Sequence, residues 1–134
     1  GVDLGTGVIR IAIVALAHAQ PKGSLELITA MLNDPDPMVR TEAVRGIVRY
    51  HDPSSVTALA AVLENERAVE PRRTAAHELR MYGDTPAVRA ALLKALADKE
   101  AGVSYNAHQS LVRVTGRQDL PRAREAAEQA LKKS

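Results

Sequence analysis

Four histidines, His18, His51, His77 and His108, are the side chains that could ligate a metal or act as a general base in a chain with no cysteine. A helical metal site asks for a pair at i and i+4 with further ligands near, and a general base asks for an orienting partner. No two of the four stand at that spacing, and in the repeat register described below His77 aligns with Arg45 and His108 with Val44. They read as helix-surface or hairpin-packing residues, so no metal and no cofactor is expected. Glu125 and Glu128 are three apart in a polar segment, whereas a catalytic carboxylate pair needs one member in a dry pocket to separate the two pKa values. There is no Gly-x-Ser-x-Gly elbow and no cysteine nucleophile. The expectation is a protein that is not an enzyme.

Arg40, Arg45, Arg49, Arg72, Arg73 and Arg80 form a loose basic series that could meet phosphates. Glu42, Glu70, Glu78 and Asp84 are interleaved at spacings that suit ion pairs. Phe and Trp are absent, which removes the side chains best suited to base stacking. A formal charge of +2 is too balanced to argue for a polyanion by itself. Nucleic-acid binding through these arginines is the rival reading, behind solvated faces with ion pairs. At the start, Gly1 to Gly7 with Arg10 resembles the first phosphate loop of sugar kinases and actin-like ATPases, but that loop needs two large lobes that 134 residues do not supply. Ile11 to Ala17 followed by His18-Ala19 resembles a signal-peptide core and its cleavage site. The run is shorter than the roughly 20 residues that cross a bilayer, so no membrane span is expected. The absence of cysteine accords with a cytosolic protein without separating it from an exported one.

The elements that would position these groups are read from Asn33 to Asn65. Asp36 can cap a helix whose first residue is Pro37, since proline lacks the amide that would go unpaired there. Val39, Ala43, Val44, Ile47 and Val48 then make one apolar stripe; Asp52-Pro53 restarts the chain, and Val56, Leu59, Ala60 and Leu63 make a second. A step of 32 aligns Ile11, Ala43, Ala75 and Ala107, and Ala15, Ile47, Leu79 and Leu111. Pro21, Pro53, Pro86 and Pro121 mark second-helix starts, followed by the rows Leu27, Leu59, Leu92, Ala127 and Met31, Leu63, Leu96, Leu131. Four tandem hairpins over residues 5–34, 35–66, 67–99 and 100–134, in a single domain covering 1–134, are what a stacked α-solenoid requires. An Ala- and Leu-rich core without Phe or Trp suits closely spaced helices.

Asp34-Pro35-Asp36-Pro37-Met38-Val39-Arg40-Thr41-Glu42-Ala43 resembles the HEAT-repeat signature, in the short form of bacterial HEAT-like and phycobilin-lyase-type repeats. Arg72 to Leu79 and Val103 to Leu111 resemble weaker copies. The resemblance implies an all-α, right-handed superhelix of four hairpins. It implies that Arg40 and Arg72 brace the loop and the neighbouring repeat, while Ser104 and Val8 break that ladder. It also implies a scaffold or protein-binding role, with a phycobilin-lyase-like subunit as a further alternative. In such stacks the second helices line a concave surface, which places Thr29, Thr57, Ala61, Glu64, Ala90, Lys94 and Gln129 as partner-binding positions.

The ends differ. The segment from Leu120 to Lys133 has one apolar stripe and is otherwise charged, as at a solenoid end in water. Val8 to Ala17 has Arg10 as its one charge and is apolar nearly all round, so it expects cover on more than one side. With Ile11 and Ala15 assigned to the core, Ile9, Ile13 and Leu16 are left for self-association. The chain, beginning at Gly1, is expected to be a piece of a longer protein or one that covers this end with a second copy.

Overall fold

The computed structural model describes residues 4–133, which form eight α-helices and no strand. They are α1 (Leu4–Ala19), α2 (Ser24–Ala30), α3 (Pro37–Val48), α4 (Val56–Asn65), α5 (Val69–Glu78), α6 (Pro86–Ala95), α7 (Ala101–Thr115) and α8 (Arg124–Lys132). The odd-numbered helices pack in order, α1 on α3, α3 on α5 and α5 on α7; α4, α6 and α8 form a second layer, α6 lying between the other two. The helices α2, α4 and α6 also each pack on the first-layer helix that follows, α2 on α3, α4 on α5 and α6 on α7. A layered stack of this kind is an α-solenoid, in which each repeat is covered by its neighbours.

The starts follow the local chemistry. The Asp36 carboxylate accepts the Met38 amide at 2.8 Å ahead of α3, with Pro37 at the first helical position. Asp52 does the same for Ser54 at 3.0 Å, and Thr85 accepts from Val88 at 3.2 Å ahead of Pro86. The turn after each first-layer helix then carries a residue with positive φ: Gln20, His51, Gly83 and Gly116. Such a residue reverses the chain and ends the helical ladder.

Val39, Ala43, Ile47, Ala75, Leu79, Ala107 and Leu111 are fully buried, as are Leu59 and Leu92 of the second layer. The middle and last repeats therefore follow the expected rows. The first does not. Ile11 is 71% exposed and Ala15 is exposed, while Ile13 and Ala17 are buried and Ile9 and Leu16 are half-buried against the core. Ile9, Ile13 and Leu16 thus face inward, and the large apolar side chains left outside on α1 are Val8, Ile11 and Val14. On α2 it is Ile28 that is buried, and Leu27 is exposed. The reason lies in the turns: the positive-φ residues stand at 20, 51, 83 and 116, so the first interval is 31 residues and not the 32 of the second. A slip of one residue rotates a helix face by about 100°.

Gly5 and Gly7 lie inside α1, a helix where a phosphate loop needs a turn; Gly1 to Asp3 lie outside the described residues. The final helix begins at Arg124, four residues later than its stripe suggests, because Leu120 is buried in the preceding loop.

Candidate functional site

Two arginines are consumed by architecture. Arg40 grips Glu66 with two hydrogen bonds, Nε to Oε2 at 2.7 Å and Nη2 to Oε1 at 2.8 Å. Its Nη1 donates to the carbonyls of Asp34 and Pro35 at 2.8 and 3.0 Å. Arg72 repeats the arrangement, with two 3.1 Å bonds to Asp98 and Nη1 on the carbonyls of Glu66 and Arg67. Each arginine therefore ties the loop before its hairpin to the loop after it, which is the bracing that the repeat signature implied. The acids were not anticipated. Asp34, Glu66 and Asp98 form a row at a step of 32, and each accepts the amide two residues on (Asp36, Ala68, Glu100) at 2.9 Å. The guanidinium of Arg40 is the largest influence holding Glu66 below the usual carboxylate range, against the burial that opposes it.

The rest of the basic series is dispersed. Arg45 pairs with Glu42 at 3.6 Å and Arg73 with Glu70 at 2.8 Å; Arg80 donates to the His77 carbonyl at 2.9 Å. Asp84 pairs with Arg89, outside the series, at 2.7 Å, and Glu78 lies 3.6 Å from His77. Among the described residues only Arg49 of the six has a guanidinium in no ion pair or hydrogen bond, although its carbonyl accepts from the Gln20 side chain at 3.0 Å. With two members held in braces and two in local pairs, the series does not make a continuous phosphate-binding surface.

The histidines are scattered as well, and among the described residues no three of His, Asp and Glu gather where they could hold a metal ion. Burial, followed by the charge of Arg80, pushes the His77 imidazole down. His108 is buried, and its Nε2 lies 2.7 Å from the Leu120 carbonyl. A carbonyl can only accept, so Nε2 carries the proton and fastens the loop ahead of α8. Burial pushes the Tyr82 phenol up to about 12, with Asp52 adding to it.

The second layer presents two clefts. One, of about 240 Å³ between α4 and α6, is lined by Ala60, Leu63, Ala87, Ala90, Ala91 and Ala95, with the charged Glu64, Lys94 and Asp98. The other, of about 350 Å³ between α6 and α8, is bounded by Ala90, Leu93, Lys94, Glu128 and Leu131. Ala90 and Lys94 line both, so the clefts adjoin across α6. Lys94 Nζ reaches Glu64 at 3.0 Å and links α4 to α6 across the first cleft. Of the expected positions, Glu64, Ala90 and Lys94 come together here. Thr57, Ala61 and Gln129 are exposed on α4 and α8 but line neither cleft. Thr29 is half-buried on α2 and spends its hydroxyl on the Leu25 carbonyl at 2.7 Å.

A third hollow, of about 1260 Å³, lies on the other side of the molecule along α1 and α3 and reaches Glu78 at the end of α5 and Met81 just past it. Sequence reasoning missed it because it depends on the rotation of α1, which a one-residue slip in register conceals.

A two-layered stack of short antiparallel helices, braced by an arginine in each middle repeat, defines an α-solenoid repeat protein. The profile of HEAT repeats matches residues 6–80, more than half of the chain, and the chain belongs to the HEAT-repeat family. No curated protein matches it. HEAT repeats commonly mediate protein–protein interaction or scaffolding.

Proposed function

We propose that the chain is a non-enzymatic protein-interaction scaffold, a right-handed superhelix of four hairpins that binds a partner segment across α4, α6 and α8. The observation that carries this reading is the pair of adjoining clefts that share Ala90 and Lys94, the first lined mainly by alanines. Methyl side chains let a partner backbone approach closely, and the ion pair of Glu64 with Lys94 gives a polar rim at which direction can be read.

The test places a photo-crosslinking side chain at position 90 and, as a control, at the outward-facing Tyr105, in lysate from the source cells. Discrete adducts at 90, absent at 105 and lost when Ala87→Arg and Leu93→Arg fill the clefts, are the expected result. Adducts that form equally at both positions, or that survive filled clefts, would overturn the assignment.

A further inference from the structure

The hollow along α1 and α3 is larger than either second-layer cleft and differs from them in chemistry. Its first wall is one edge of α1: Gly7, Ile11, Val14 and His18 follow one another at spacings of four, three and four, one stripe of a helix. Ile11 and Val14 are 71% and 54% exposed, so this wall is apolar and uncovered by the other described residues. The opposite wall is α3, with Glu42, Arg45 and Arg49. The floor is kept low by Gly46, where a Cβ would stand 3.0 Å from Cγ2 of Ile13. From Gly7 to His18 the groove runs roughly 16 Å at about 1.5 Å per residue, close to three turns of helix.

Its charges are unequally satisfied. Glu42 is engaged with Arg45, and Glu78 lies against His77. Arg10 and Arg49 line the groove and have no acidic partner among the described residues, and Arg10 Nε is a buried donor with no hydrogen-bond partner. A buried guanidinium donor calls for an acceptor, and a carboxylate satisfies it best. An apolar wall beside two uncommitted arginines is complementary to a helix with an apolar face and an acidic edge.

We infer that this groove binds an amphipathic helix of a second protein, its leucine-like face against Ile11 and Val14 and its carboxylates on Arg10 and Arg49. The site lies on the opposite layer from the clefts of α4, α6 and α8, and stands or falls independently of them. A scaffold with two such faces holds two partners at once.

The probe is a fluorescent amphipathic peptide of about four turns, leucines along one face and glutamates along its edge, titrated into the intact chain by anisotropy. Controls are the same peptide with lysines in place of the glutamates, and a scrambled glutamate peptide. Saturable binding of the glutamate peptide is expected, weaker at high salt, with the lysine peptide at least tenfold weaker. Ile11→Glu abolishes binding. Arg49→Glu weakens the glutamate peptide about tenfold and strengthens the lysine peptide, a reversal that misfolding does not produce. Ala90→Arg leaves both unchanged. Equal binding of the two peptides, no binding of either, or indifference to Arg49→Glu would overturn the inference. So would concentration-dependent dimerisation of the chain alone that Ile11→Glu abolishes and the peptide does not compete, since the groove would then belong to a second copy.

Discussion

Arg72 is 5% exposed, and a guanidinium so placed is tolerable because every face of it is engaged. Removing the acid leaves a charge without compensation, a larger loss than the interaction itself. Asp98→Asn should cost about 1–3 kcal/mol in chemical denaturation, and Glu66→Gln a similar amount. The second variant also makes a pH prediction. The Glu66 carboxyl is depressed in the folded protein, so its contribution is complete above the unfolded carboxylate value of about 4.3 and is lost as pH falls through the folded value. Glu66→Gln should therefore lower stability at neutral pH and lessen the fall between pH 5 and pH 3, measured as the urea midpoint against pH. Asp52 and Asp84, depressed by Ser54 and Arg89, keep their own part of that fall. A variant whose acid limb parallels the parent would show that the brace does not depend on the charge of Glu66. The arginines of this brace could be read from the repeat signature, but their acids were passed over. The signal was there: Glu66 and Asp98 each lie 26 residues beyond their arginine and one repeat apart. It was hidden because interleaved acids three or four residues away looked like nearer partners, and helical neighbours draw attention before loops do.

At the scale of helices, the Asp36 cap of α3 and the stripes of α3, α5 and α6 followed from sequence because each of these helices has a neighbour on either side in its layer that enforces one buried face. Among the described residues α1 has a first-layer neighbour on one side only, and its hydrophobicity all round made every rotation plausible until the turn at Gln20 was known. The contact that settles the rotation is Gly46: a Cβ there would meet Ile13 Cγ2 at 3.0 Å, Ile28 Cγ2 at 3.3 Å and the Ala17 Cβ at 3.6 Å. Further ties between the first and second hairpins are the 3.1 Å bond from Thr6 to Asp36 and the Tyr50 hydroxyl, 2.6 Å from Ser24 and donating to the Leu16 carbonyl at 3.2 Å. Gly46→Leu should overpack this junction and cost about 1–3 kcal/mol, with faster amide exchange in α1 and α2 and little change in α6 to α8. Uniform exchange along the variant would mean that α1 does not pack on α3 through this glycine.

A stack in which repeats touch only their neighbours distributes stability along its axis, so the same kind of deletion should have different consequences at different places. Leu79 is fully buried at the end of α5, where the chain also meets α4, α6 and α7. Leu131 is nearly as buried but sits on α8, which packs on α6 and ends the stack. Leu79→Ala removes a packed side chain between two halves and leaves a cavity, at a cost of about 2–5 kcal/mol. Because that junction couples the hairpins before it to those after it, the urea transition should shift and also broaden as the halves lose their common melting. Leu131→Ala should mainly fray α8, raising amide exchange from Arg124 onward while the main transition moves by less than half as much. The His108 to Leu120 bond limits that fraying, since it fastens the loop ahead of α8 to α7. If the terminal substitution shifted the main transition as far as the central one, the chain would be a single cooperative unit, and the nearest-neighbour account of its stability would have to be given up.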